Sequence, residues 1–142
     1  MENNNIEGEM KMESIQEIAR KNFALWNEAL LTGDPKKVAE LYAEDNTFLP
    51  TMSPDFKRGK AGAEGYFVHF LEKKPMGEVR DGEVQPMGEG FYSYNGLYDF
   101  EVDKDEKRVV MECRFTFNLR KEKNGEWKIT HHHSSEKPKA SK

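Results

Sequence analysis

The feature that most constrains this chain is a change of hydrophobic period at Pro75. Ahead of it, Ile15, Ile18, Ala19, Phe23, Trp26, Ala29 and Leu30 recur at the three- and four-residue spacing of one helix face. That spacing predicts a helix over 14–31. Ser14 followed by Glu17 has the form of a capping box at its start. Gly33 stops the helix, and Asp34-Pro35 supplies an N-cap and a first-turn proline for a second helix over 35–42. "NTFLPTM" reads as a short strand, "SPDFKRGKAG" as a loop, and residues 61–72 as a third helix weakened at its start by Gly62 and Gly65. Beyond Pro75 the segments "GEVRDGEVQP", "GFYSYNGLYDFEV", "KRVVMECRFTFNLRK" and "GEWKITHHHSS" alternate in the manner of strands. Helices first and hairpins afterwards is an α+β plan, with three helices on one face of a curved antiparallel sheet.

The 142 residues form one core. Residues 1–12 read as a disordered lead-in, 13–138 as the domain and 139–142 as a tail. With 34% charged residues, a net charge of −4 and no apolar run of bilayer length, the chain offers nothing to a membrane interior, DNA or anionic lipid. The acidic, polar start lacks the basic and apolar regions of a secretory signal. Cys113, the single cysteine, forms no internal disulfide. Both features place the protein in the cytoplasm.

The last hairpin decides which side chains meet. Asn124-Gly125 is the strongest short hairpin signal in the chain. A two-residue turn there sets position i opposite position 249 minus i, as a matter of pairing arithmetic. Cys113, Phe115, Phe117 and Leu119 then share a face with Glu136, Ser134, His132 and Thr130. Arg114, Thr116, Asn118 and Arg120 share the other with Ser135, His133, His131 and Ile129. A bulged or longer loop would swap the grouping. Upstream, Tyr92, Tyr94 and Tyr98 lie on one side of their strand, as a pocket wall or a subunit interface, and the interface reading is preferred for part of it.

Several phrases together carry a resemblance: "WNEALLTGDPKKVAELYAEDNTFLP", "GYFVHFLEKKP", "YNGLYDF" and "RFTFNLRKEKNGEWKITHHHSS" with the following "KP". Over residues 13–138 the chain resembles the nuclear-transport-factor-2-like superfamily, and within it the calcium/calmodulin-dependent kinase association (hub) domain and its stand-alone bacterial relatives. The resemblance implies a cone-shaped α+β fold, assembly into a homodimer or larger ring on the open sheet face, and a pocket between helices and sheet. In hub domains that pocket holds a small carboxylate on arginines. Other branches, such as SnoaL-like isomerases, cyclases and dehydratases, use it for catalysis. Two departures stand out: Ser134 occupies a position where hubs carry an arginine, and Ala63 one where they carry a histidine.

The candidate ligand site is therefore Arg114, as anchor for a small organic anion, with His131, His133, Ser135, Thr116 and Tyr66 around it. The plainer alternatives are an ion pair between Arg114 and a neighbour such as Asp99, and rim histidines bonded to the sheet. If the pocket is catalytic, His133 or Asp99 is the candidate general base. A metal site on His131 and His133 needs a third ligand such as His69 or Cys113, and on this register Cys113 points away. No metal and no cofactor are expected. The two functional expectations are a hub-like assembly domain with an anion pocket, or a small SnoaL-like enzyme. Pure scaffold is the third.

Overall fold

The computed structural model describes residues 14–140. The lead-in over 1–12 and the last two residues lie outside the described residues, as does the Ser14 side chain of the expected capping box. Three helices, α1 (Ser14–Leu31), α2 (Pro35–Ala39) and α3 (Gly59–Phe70), precede or interleave with β1 (Tyr42–Leu49) and β2 (Lys57–Arg58). A 3-10 turn over Leu71–Lys73 leads into β3 (Met76–Pro86), β4 (Phe91–Lys104), β5 (Lys107–Lys121) and β6 (Trp127–Glu136). The six strands form one sheet in the order β2-β1-β6-β5-β4-β3. All neighbours are antiparallel except β1 and β6, which run parallel. This is the nuclear-transport-factor-2-like α+β fold expected from the sequence. Among the described residues no helix is long and apolar enough to cross a membrane.

Residue chemistry explains the boundaries. The Asp34 carboxylate accepts from Lys36 N at 2.9 Å and caps α2. That helix ends at Ala39, three residues before the expected limit, and Tyr42 opens β1 instead. The reason is tertiary: Tyr42 is fully buried and hydrogen-bonded inside the cone, and Leu41 O accepts from Ile129 N at 2.9 Å. Gly96 answers a close approach. The β3–β4 pairing slips between Val79 and Asp81, and a Cβ at position 96 would stand 2.0 Å from Asp81 O.

The core fills the concave side. Trp26 of α1 packs edge-on to Phe67 of α3 and to Phe117, with ring centroids 6.4 and 5.2 Å away. Tyr42, Phe48, Phe70, Phe100 and Phe115 complete it, all buried. Each such side chain contributes about 1.5–3 kcal/mol relative to an exposed position. The inward tyrosines Tyr92, Tyr94 and Tyr98 belong to this core. Of the two roles expected for the tyrosine side, the inward packing is the one seen, and the outward side of the strand carries Phe91, Ser93, Asn95, Leu97 and Asp99.

The terminal hairpin differs from the expected one twice. Glu122 N donates to Glu126 O at 2.7 Å, closing a three-residue loop with Gly125 at φ +89°. Pairing near the turn is accordingly Lys121 with Trp127 and Leu119 with Ile129. Thr130 then bulges, and from Asn118 opposite His131 onward the pairing is the one the two-residue turn predicts. The longer loop and the bulge cancel. Trp127, Ile129, His132 and Ser134 face inward, and His131, His133 and Ser135 outward.

Candidate functional site

The two sides of β6 hold different chemistry. Inside, His132 is 2% exposed, with its ring between Phe117 (centroids 4.0 Å, 20° apart) and Phe48 (4.8 Å, 11°). Its Nδ1 lies 2.8 Å from Tyr42 Oη and its Nε2 lies 3.1 Å from Tyr98 Oη. Trp26 Nε1 donates to Tyr42 Oη at 3.1 Å, and Tyr98 Oη donates to Ser134 Oγ at 2.5 Å. These donors set the directions. Tyr98 has spent its proton on Ser134, so it accepts from His132 Nε2–H. Nδ1 is then the acceptor for the Tyr42 hydroxyl. Ser134 Oγ, which accepts from Tyr98, is also hydrogen-bonded to Thr51 Oγ1 at 2.5 Å. The Cys113 thiol donates to Met111 O at 3.8 Å. Every polar head in this relay has a partner, and every member is neutral.

Burial sets the protonation states. It holds the His132 imidazole well below the ordinary histidine pKa, with the neighbouring charges of His131 and His133 adding to the effect. It raises the Tyr42 and Tyr98 hydroxyls well above the usual range and pushes the Cys113 thiol up to about 11. The space beside the relay, bounded by Thr51, Tyr66, Phe70, Tyr98, His132 and Ser134, is about 10 Å³. It is room for one water at most. No carboxylate and no guanidinium lines it. Ser134 lines it, and the expected anchor Arg114 does not.

Outside, the register gathers five of the six expected ligand-site residues. Arg114 is opposite Ser135, and Thr116 is opposite His133, with His131 two residues on. They lie on the convex face, which no helix covers among the described residues, and not in the cavity. Arg114 is exposed and, among the described residues, donates to Ser135 Oγ alone, at 3.4 Å. His131 Nδ1 meets Thr47 Oγ1 at 2.8 Å, and burial lowers its pKa, with the His133 charge second. His133 is exposed and makes no side-chain hydrogen bond among the described residues. Thr116 Oγ1 donates to Asn95 Oδ1 at 2.8 Å. Tyr66, the sixth, sits on the other side of the sheet, accepting from Met52 N at 3.3 Å. The convergence of Arg114, His131 and His133 on one enclosed pocket is corrected: alternation groups them as expected, but sheet curvature turns that group outward. The candidate bases follow suit. His133 is outward, and Asp99 is outward and bound to Arg80 Nε at 2.7 Å. Arg114 therefore has no ion pair with Asp99. His69 is exposed on α3, Cys113 faces the core, and no group able to hold a metal is found among the described residues.

Sequence reasoning passed over His132, although alternation had already put it with the phenylalanines. It also passed over Ser134 and Thr51 as relay members. Nothing local marks Thr51: only the fold brings it to Ser134, 83 positions away.

Against known proteins, residues 14–138 match the family model described as the calcium/calmodulin dependent protein kinase II association domain. A Xanthomonas campestris protein described by the same association-domain name is 39% identical, with 87% of this chain and 88% of that chain covered, at a TM-score of 0.82. An NTF2-like protein with a cystatin-like fold from Novosphingobium aromaticivorans has a TM-score of 0.78 at 11% identity, covering 97% and 92%. An NTF2-like superfamily protein from Salmonella enterica serovar Typhimurium has 0.76 at 16%, covering 92% and 96%. No curated protein matches the chain.

Proposed function

The chain belongs to the calcium/calmodulin-dependent protein kinase II association-domain family, and from that premise we propose that it is a self-assembly domain whose contact surface is the convex face of its sheet. The observation that carries the reading is that face itself. Strands β6, β5, β4 and β3 lie side by side, and among the described residues no helix packs on their outward side, where Arg114 and His133 are exposed. Four strands at about 4.8 Å spacing and about ten residues long present roughly 600 Å² in projection, close to the ~800 Å² each partner contributes to a standard interface. Its centre is a polar row beside the Arg114 guanidinium. Ser93, Asn95, Thr116, Asn118 and Leu97 are buried or half-buried by one another, and Thr116, Asn95, Ser93 and Gln85 are bonded in a row. Asn118 Oδ1 is buried without a partner among the described residues. Arg114 and His133 keep free donors beside it. A polar centre with unspent donors and acceptors, edged by exposed Leu49, Phe91 and Val110, suits a self-complementary contact about a two-fold axis.

In this reading Arg114, His131, His133 and Ser135 act in assembly, not as anchors for a small carboxylate. Catalysis by His133 or Asp99 has no support in the cavity, which neither residue lines. Light scattering tests the proposal. The wild type has a mass that is a multiple of 16.5 kDa. Leu97→Asp, which puts a charge opposite Arg114 at the face's centre, drops to the single-chain mass with unchanged far-ultraviolet dichroism. A single-chain wild type across micromolar concentrations, or an unaltered mass in Leu97→Asp, refutes it.

A further inference from the structure

Apart from the relay and from the convex face, a groove of about 380 Å³ lies between the middle of α1 and the turn end of the β5–β6 hairpin. Volumes of about 300–1,000 Å³ are those of small-molecule sites, and this one is at the lower end. Aromatic rings dominate its wall: Phe23 and Trp26 from α1, Tyr92 from β4, Phe117 from β5 and Trp127 from β6. Tyr92 and Trp127 pack against each other, centroids 5.1 Å apart at 57°, and form a continuous aromatic wall on which a flat ring can pack by edge or face.

Two features define the occupant further. The first is a buried hydroxyl with an unused proton. Tyr92 is 1% exposed, and its Oη accepts from Asn22 Nδ2 at 2.9 Å. Among the described residues nothing accepts from Tyr92 in return, and both polar heads belong to groove-lining residues. Burial raises its pKa, so the O–H remains a donor throughout the working range. A buried donor wants an acceptor. The second is the state of the charges. Glu126 and Lys128 at the rim are paired at 3.0 Å, and Lys128 Nζ also donates to Glu40 O at 2.6 Å. A charged ligand would lose its water and find no free counter-charge.

We propose that this groove binds a small, neutral, one- or two-ring aromatic molecule bearing a hydrogen-bond acceptor, which takes the Tyr92 proton. The site is separate from the assembly face and stands whether or not the chain assembles.

The test uses the full chain and three probes of one shape: 2-acetylnaphthalene, 2-ethylnaphthalene and 2-naphthoate. Both tryptophans of the chain line the groove, so intrinsic fluorescence reports occupancy and calorimetry gives the affinity. The ketone binds saturably, about three- to tenfold tighter than the hydrocarbon, the range of one net hydrogen bond, and the anion binds weakest. Tyr92→Phe removes the ketone's advantage while the hydrocarbon still binds. Leu25→Trp, a substitution at an exposed position on the rim, blocks both neutral probes. No saturable binding of either neutral probe, equal affinity for ketone and hydrocarbon, or indifference to Leu25→Trp each overturns the proposal. So does binding that falls as protein concentration rises, which assigns the groove to a second copy. If Tyr92→Phe fails to fold, the ketone-to-hydrocarbon ratio and Leu25→Trp still decide.

Discussion

Two neighbouring histidines on one strand live in opposite worlds. His132 is enclosed between two phenylalanines and bonded through both nitrogens. His133, one residue on, is exposed and its side chain makes no hydrogen bond among the described residues. The difference comes from the two-residue period of a strand and from a sheet that is covered on one side only. A buried imidazole must be neutral and satisfied, and Tyr42, Tyr98 and Ser134 make it so. An outward imidazole is free to meet something else. The comparison teaches that a histidine run is not a site: each member takes the chemistry of its face.

The largest effect that separates the two faces is truncation. His132→Ala leaves a void between two rings and strands the Tyr42 hydroxyl and the Tyr98 oxygen, costing about 3–5 kcal/mol. His133→Ala is expected to cost less than about 0.5 kcal/mol. Denaturant unfolding followed by tryptophan fluorescence, with both variants in the same assembly state, gives the two values. Similar costs would break the comparison.

Acid comes next. The folded pKa of His132 is depressed, so above the unfolded value of about 6.5 both states are neutral and the group has no influence. As pH falls below 6.5 the unfolded chain takes a proton that the folded one refuses. Stability then drops by about 1.4 kcal/mol per pH unit until the folded pKa is reached. The lowered pKa of His131 adds in the same sense. Unfolding curves between pH 7.5 and 5 measure the slope, and His132→Phe removes its larger part. A wild-type slope of zero would mean that burial does not depress the His132 pKa, and a stability that rises as pH falls would mean that the fold holds it protonated.

A smaller effect probes the relay's direction. Tyr98→Phe keeps the ring and takes away the acceptor of His132 Nε2–H and the donor to Ser134, for about 1–3 kcal/mol. Nitrogen chemical shifts of the imidazole should show the proton on Nε2 in the wild type. A proton on Nδ1 would reverse the donor sequence. Smallest of all is Arg114→Ala, whose single 3.4 Å contact to Ser135 predicts a monomer stability within about 0.5 kcal/mol of wild type.

Much of this architecture was legible in the sequence. The change of period at Pro75 separated helices from strands, and Asn124-Gly125 located the last hairpin. Strand alternation put His131 and His133 with Arg114 and left His132 among the phenylalanines. That grouping survived because Thr130 bulges by the one residue that the longer loop takes away. Local sequence does not encode such a compensation. Nor could alternation say which face is concave: Arg114 was placed in a cavity because a cation beside two imidazoles invites an anion, and curvature put the set outside. Tyr92 and Asn22 show the remaining limit. They are 70 positions apart, and only the packing of α1 across β4 makes them one polar pair.

The central claim is that the inward face of β6 is a closed, neutral core and the outward face is where copies meet. Histidine labelling with diethylpyrocarbonate, mapped by mass spectrometry on the assembled wild type and on Leu97→Asp, addresses both halves at once. His69, exposed on α3, is the internal standard and should react alike in both. His132 should stay unlabelled in both until the chain unfolds. His133 should be protected in the assembly and become as reactive as His69 in the single chain. Labelling of His133 at the His69 rate in the assembled protein, or of His132 in the folded one, would contradict the account.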